Sequence, residues 1–125
     1  MSGNMTPEEV LNSATEGINA GDIDSLMTLY EPLACFASQP GKLAKSPEGI
    51  RESLRSFIDM NGKLDLSVKR VLKANDLALV TTEWSFNGTD PDGKHVHISA
   101  KSADVLRQQP DGTWRFVIDN PWGTD

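Results

Sequence analysis

Residues 95–120 read HVHISAKSADVLRQQPDGTWRFVIDN, and the alternation inside this stretch decides the fold. Two strand-like runs flank Pro110-Asp111-Gly112, a turn tripeptide whose glycine can supply a positive φ. If the first strand alternates without a bulge, Val96, Ile98, Ala100, Ser102, Asp104 and Leu106 share one face. Most of those side chains are apolar, so the face is expected to look inward. Asp104 is then a carboxylate on the buried side of a sheet, which costs free energy unless it is paired, protonated or hydrated.

Upstream, Leu77 to Asn87 reads as a long strand with Ala78, Val80, Trp84 and Phe86 on one face, and Asp90-Pro91-Asp92-Gly93 turns it into the next strand. Leu64, Leu66 and Val68 alternate with polar residues, and Asn75-Asp76 makes a further turn. The first half of the chain is helical. Thr6-Pro7-Glu8-Glu9 combines an N-cap, a first-turn proline and a capping-box glutamate, and Val10, Leu11, Ala14 and Ile18 recur at helical spacing to about Ala20. Gly21 stops that helix and Asp22 caps a second, with Ile23, Leu26, Met27 and Tyr30 as its inner stripe and Pro32 as its end. A short strand over Leu33 to Gln39 and a loop at Pro40-Gly41 follow. Ser46-Pro47-Glu48 then starts a third helix, whose apolar stripe is Ile50, Leu54, Phe57 and Ile58.

Three helices and then four or five strands predict an α+β protein with a segregated, mostly antiparallel sheet. Strands of this length coil strongly, and a coiled sheet can wrap around a helix to leave a pocket. At 125 residues the chain is read as one domain over 1–125, with residues 1–5 expected to be disordered. A net charge of −6 and a pI near 4.8 argue against nucleic acid or an anionic membrane as partner. A single cysteine, Cys35, excludes an internal disulfide or thiolate cluster, and its apolar neighbours suggest a buried, inert thiol. The N-terminus carries neither a basic patch nor an apolar core, so a cytoplasmic location is expected.

The corner GINAGDIDSLMTLY at Gly17 to Tyr30, the helix start Ser46-Pro47-Glu48-Gly49-Ile50-Arg51 and the turn Pro110-Asp111-Gly112-Thr113-Trp114-Arg115 resemble the NTF2-like superfamily, specifically its SnoaL-like and ketosteroid-isomerase-like members. The ending Asp119-Asn120-Pro121-Trp122-Gly123 is similar to uncharacterised bacterial members. The resemblance implies a cone, with three helices packed on a strongly curved sheet that encloses a pocket. It also implies a homodimer joined through the outer sheet faces. The fold hosts isomerases, cyclases, dehydratases and non-catalytic binders, so it does not fix an activity. Carried across by alignment, the steroid-isomerase tyrosine falls on Ala14, the general-base aspartate on Ser38 and the neutral aspartic acid donor on Asp104. Ser38 cannot take a proton at neutral pH without a base beside it, so classical steroid isomerisation is not expected.

Asp104 is therefore the candidate catalytic group. The plainer alternatives are an ion pair with Arg107 or Arg115, or a bulge that turns it outward. Candidate ligand-binding residues are Ser38, Trp84, Asn120 and Tyr30. Trp84 can stack on a flat molecule, and Asn120 follows Trp114, Phe116 and Ile118 in an alternating series and can orient a carbonyl or hydroxyl. A turn cap is the alternative for Asn120, and plain core packing for Trp84 and Tyr30. His95 and His97 lie on the face opposite Asp104 and are read as surface or interface residues. No spacing asks for a metal, and no phosphate loop or nucleophile elbow asks for a cofactor. The expected ligand is a small hydrophobic or aromatic molecule. The expected chemistry is cofactor-free acid–base isomerisation, cyclisation or dehydration of a carbonyl or polyketide-like compound. The alternative is a non-catalytic ligand-binding or dimeric association module.

Overall fold

A computed structural model describes residues 5–123. Helix α1 (Pro7–Ala20) begins at the expected capping box: the Glu9 amide donates to Thr6 Oγ1 at 3.2 Å and the Thr6 amide to Glu9 Oε1 at 2.8 Å. Expected disorder at residues 1–4 lies outside the described residues, and Met5 is placed beside Ser13, whose hydroxyl donates to its sulfur. Helix α2 (Ile23–Met27) is shorter than its sequence stripe suggests. Tyr30 does not end it but opens strand β1 (Tyr30–Gln39), because the Phe116 amide donates to Leu29 O at 2.7 Å and draws the chain into the sheet. A short strand β2 (Lys42–Ala44) forms where the sequence suggested only a loop, and helix α3 (Pro47–Ile58) starts at the Ser46 cap.

The remaining strands are β3 (Lys63–Ala74), β4 (Leu77–Thr89), β5 (His95–Gln108) and β6 (Trp114–Asp119). They form one sheet in the order β2-β1-β6-β5-β4-β3, antiparallel throughout except for the parallel pair β1–β6. The helices cover its inner face: Val10, Leu11, Leu26, Ile50 and Leu54 pack with Val80, Leu106 and Phe116 in one buried cluster. Asn19 fixes α1 to β3 by mimicking a strand, donating to Leu64 O at 2.9 Å and accepting from the Leu64 amide at 2.7 Å. Among the described residues no helix is long and apolar enough to cross a membrane.

Irregular pairing decides which side chains face in. The β4–β5 ladder is unbroken from Leu77↔Arg107 to Thr89↔His95, so alternation holds along all of β5. On the other side Leu106 pairs with Phe116 but Val105 pairs with Ile118, leaving Val117 as an extra residue on β6. That bulge reverses the parity of everything after Phe116. Ile118, expected inside, is 40% exposed, and Asp119 turns inward instead. Cys35 is also only half-buried, facing outward beside Ile118, in place of the buried thiol expected.

Candidate active site

Five polar side chains from four neighbouring strands meet on the inner face. On β5, Ser102 and Asp104 stand between apolar positions, and Asp104 is 1% exposed. Its Oδ2 accepts from Ser102 Oγ at 3.0 Å and its Oδ1 accepts from the Asn120 amide at 2.7 Å. Ser102 Oγ lies 2.5 Å from Thr82 Oγ1 on β4, its cross-strand partner. On β6, the inward turn brings the Asp119 carboxyl into hydrogen-bond contact with that of Asp104. Tyr30 on β1, stacked on Phe116 with ring centroids 4.9 Å apart, donates its hydroxyl to Asp119 Oδ2 at 2.5 Å. A hydrogen-bonded row thus runs Tyr30–Asp119–Asp104–Ser102–Thr82, and Arg107 plays no part in it, pairing instead with Glu31 at 3.0 Å.

Two carboxyls in contact inside an apolar core cannot both ionise cheaply. Burial first, then the Asp119 charge, holds the Asp104 carboxyl well above the usual carboxylate range; the Asn120 amide and Ser102 hydroxyl only partly offset this. Burial raises Asp119 too, but the hydrogen bonds from Asp104 and Tyr30 favour its charged form. The pair therefore titrates in coupled steps above the ordinary carboxylate range, and Asp104, the more strongly raised of the two, is the carboxyl that favours keeping its proton. Burial, and next the charge of Asp119, pushes the Tyr30 phenol well above its ordinary value, so Tyr30 stays a donor.

A cavity of about 80 Å³ opens against this row. Asp104, Asp119, Tyr30 and Ser102 form its polar side; Trp84, Phe86, Phe57 and Leu66 are among its apolar walls. Ala14, where the steroid-isomerase tyrosine aligns, also lines it and leaves that wall apolar. The chain end closes part of it. Trp84 Nε1 donates to Pro121 O at 2.7 Å, and Trp122 Nε1 donates to Ala37 O at 2.9 Å, clamping residues 120–123 against β1 and β4. Gly123 is required in this turn: its φ is +65° and a Cβ there would lie 2.6 Å from Lys101 O.

Of the residues singled out by sequence, Asp104, Trp84 and Tyr30 line the cavity. Ser38 and Asn120 do not. Ser38 sits half-buried where the β1–β2 register shifts. Asn120 reaches the site only through its backbone amide, while its side chain donates to Gly123 O at 2.7 Å and caps the turn. His97 is on the exposed outer face, hydrogen-bonded to Asn87 and Ser99. Asp119 was missed because strict alternation from Trp114 places it outside. The usable signal was Phe116-Val117-Ile118, where consecutive apolar residues leave the parity of the next position open. Among the described residues no cluster of three or more His, Cys, Asp or Glu is placed to hold a metal ion.

Comparison with known proteins agrees with this architecture. Solved structures of the same fold include a ketosteroid isomerase-like protein from Erwinia carotovora atroseptica SCRI1043, with a TM-score of 0.77 at 18% identity over 90% of this chain and 88% of that one. An NTF2-like superfamily protein from Salmonella enterica serovar Typhimurium LT2 superposes with a TM-score of 0.75 at 20% identity over 94% and 89%. An uncharacterized protein with a cystatin-like fold from Caulobacter vibrioides superposes with a TM-score of 0.76 at 14% identity over 90% and 82%. At such identities the likeness shows the fold alone. No curated protein sequence matches the chain. The SnoaL-like domain family matches residues 12–117, and this protein belongs to that family, with an NTF2-like fold.

Proposed function

We propose that the protein holds a small, mostly apolar molecule, or the reacting end of a longer one, in its inner cavity and moves a proton on it. This is cofactor-free acid–base chemistry of the isomerase, cyclase or dehydratase kind. The observation that carries this reading is an apolar cavity ending on two carboxyls in contact, buried Asp104 and half-buried Asp119, whose raised titrations favour a proton held between them. Such a pair supplies both halves of a proton transfer: Asp119 takes a proton from the substrate while Asp104 gives up the shared one, and the pair ends with as many protons as it began with. Tyr30 and Ser102 hold the two carboxyls in place. Size limits the guest. A cavity of about 80 Å³ is roughly half of the ~150 Å³ apolar cavity that accepts benzene, so what enters is no larger than a small ring.

A thermal-shift screen of small cyclic ketones, alcohols and amines on wild type and Asp104→Ala tests the reading. A ligand at 100 times its Kd adds about 2.7 kcal/mol of stability, a shift of several degrees in a domain this size. A shift present in wild type and lost in the variant supports the site; cooperative melting with no shift for any compound rejects it. With a turned-over substrate, Asp104→Asn and Asp119→Asn each lower kcat by about 10²–10⁴ while leaving the fold intact.

We also propose a homodimer. Its support is an apolar row on the outer sheet face, Leu72↔Leu79, Leu79↔Val105 and Val105↔Ile118, in which the Leu and Ile side chains are exposed. Sedimentation of a monomer at micromolar concentration would reject it.

A further inference from the structure

Among the described residues, the side-chain N–H and O–H groups at the cavity's polar wall and beside it are already spent. The Tyr30 hydroxyl goes to Asp119, the Ser102 hydroxyl to Asp104, and the Thr82 hydroxyl is therefore left to donate to Ser102. Thr15 Oγ1 donates to Leu11 O at 3.0 Å, the Trp84 indole to Pro121 O, and the carboxyl proton lies between Asp104 and Asp119. What remains on the polar wall is acceptor capacity, the unused lone pairs of two carboxyls. That wall holds two carboxyls in contact, and among the described residues no Lys, Arg or His lines the cavity to balance a charge on them. A buried charge without a counter-charge is costly, and the missing partner is a cation with N–H donors.

We infer that the cavity takes the ammonium group of a small apolar amine, with its N–H donors on the Asp104–Asp119 carboxyls and its hydrocarbon body against Trp84, Phe86 and Phe57. This rests on the ligand-binding reading above and names the ligand class for that site. A carbonyl compound brings only acceptors to a wall of acceptors and must pull a proton out of the Asp104–Asp119 bond to bind. A carboxylate adds a second negative charge. A hydroxyl compound donates one hydrogen bond and leaves the charge uncompensated. The aromatic walls favour the cation further, since ring faces attract ammonium groups.

Compounds of matched size with different heads test this. Isobutylamine, isobutanol, isopropyl methyl ketone and isobutyrate are titrated into the ¹⁵N-labelled full chain in phosphate buffer at neutral pH, following the Trp84 indole N–H. The amine is expected to bind at least tenfold more tightly than the alcohol, with the ketone weaker and the carboxylate not bound. Asp119→Asn is expected to weaken the amine at least tenfold while changing the alcohol little, and Asp119→Ser serves if the first variant melts early. An alcohol, ketone or carboxylate that equals or outranks the amine overturns the ammonium assignment and leaves the pocket reading standing. Amine affinity unchanged in the Asp119 variants overturns it as well. Binding of none of the four overturns both readings together.

Discussion

The two faces of this sheet invert the usual rule in the same way on opposite sides. The inner face, which should be apolar, carries a polar row from Tyr30 through Asp119, Asp104 and Ser102 to Thr82. The outer face, which should be polar, carries an apolar row from Leu72 through Leu79 and Val105 to Ile118. Each row crosses four adjacent strands, and each is a departure that a sequence selected for stability alone would not keep. The inner row is nonetheless internally satisfied: among the described residues no buried side-chain polar atom lacks a hydrogen-bond partner. Among the described residues the outer row stays exposed at Leu72, Leu79 and Ile118. The difference separates a hydrogen-bonded row closed within one chain from an exposed apolar row, the surface on which the proposed dimer would form.

The largest effect that sharpens this contrast comes from the frame of the inner row. Phe116 is fully buried and stacks on Tyr30, so Phe116→Ala should cost about 3–5 kcal/mol in urea unfolding and release Tyr30 from Asp119. A loss below ~1 kcal/mol would mean that the inner face is not packed as described. Asp119→Ala leaves the Tyr30 hydroxyl and the Asp104 proton without their acceptor, a cost of about 1–3 kcal/mol.

Next comes pH. Both carboxyls titrate higher in the folded protein than in the unfolded chain, so the folded state holds their protons more tightly. Their contribution to stability is complete below the unfolded carboxylate range of about pH 4 and is lost as pH rises through the folded values. The exposed Asp22 and Asp111 are shifted downward, by hydrogen bonds from Ser25 and Thr113 respectively; their contribution is complete above that range and is lost only as pH falls below it, so it is constant between pH 4 and pH 8. The urea midpoint of wild type should therefore fall between pH 4 and pH 8 more steeply than that of Asp104→Asn. Parallel slopes would remove the raised carboxyls from the account. The smallest effect belongs to the outer row: Leu79→Lys should change monomer stability by less than about 0.5 kcal/mol yet convert the proposed dimer to a monomer in sedimentation.

Asp104 was legible because the β4–β5 ladder carries no irregularity, so counting by twos from Val96 gives the right face at every position. Asp119 was not, since a single unpaired Val117 shifts the count and alternation cannot announce a bulge inside an apolar run. Tyr30 fits a helical stripe after Ile23 and Leu26 equally well; what places it in β1 is pairing with Phe116, a partner 86 positions away by number and invisible to local spacing. The helices were readable from their caps, because Thr6, Asp22 and Ser46 act through bonds within one turn. The short strand β2 was not, as its residues gain strand geometry only from β1. The site is thus half local and half topological, and the sequence exposes the local half.

The most direct test of the central claim is the protonation state of the carboxyl pair, followed by ¹³C NMR of aspartate side-chain carboxyls across pH. The account predicts one buried carboxyl that remains protonated at pH 7, assigned by its disappearance in Asp104→Asn, and an Asp119 that titrates above ordinary aspartates. If Asp104 and Asp119 were both ionised at neutral pH, with ordinary titration, they would not share a proton and the acid–base reading of the cavity would be contradicted.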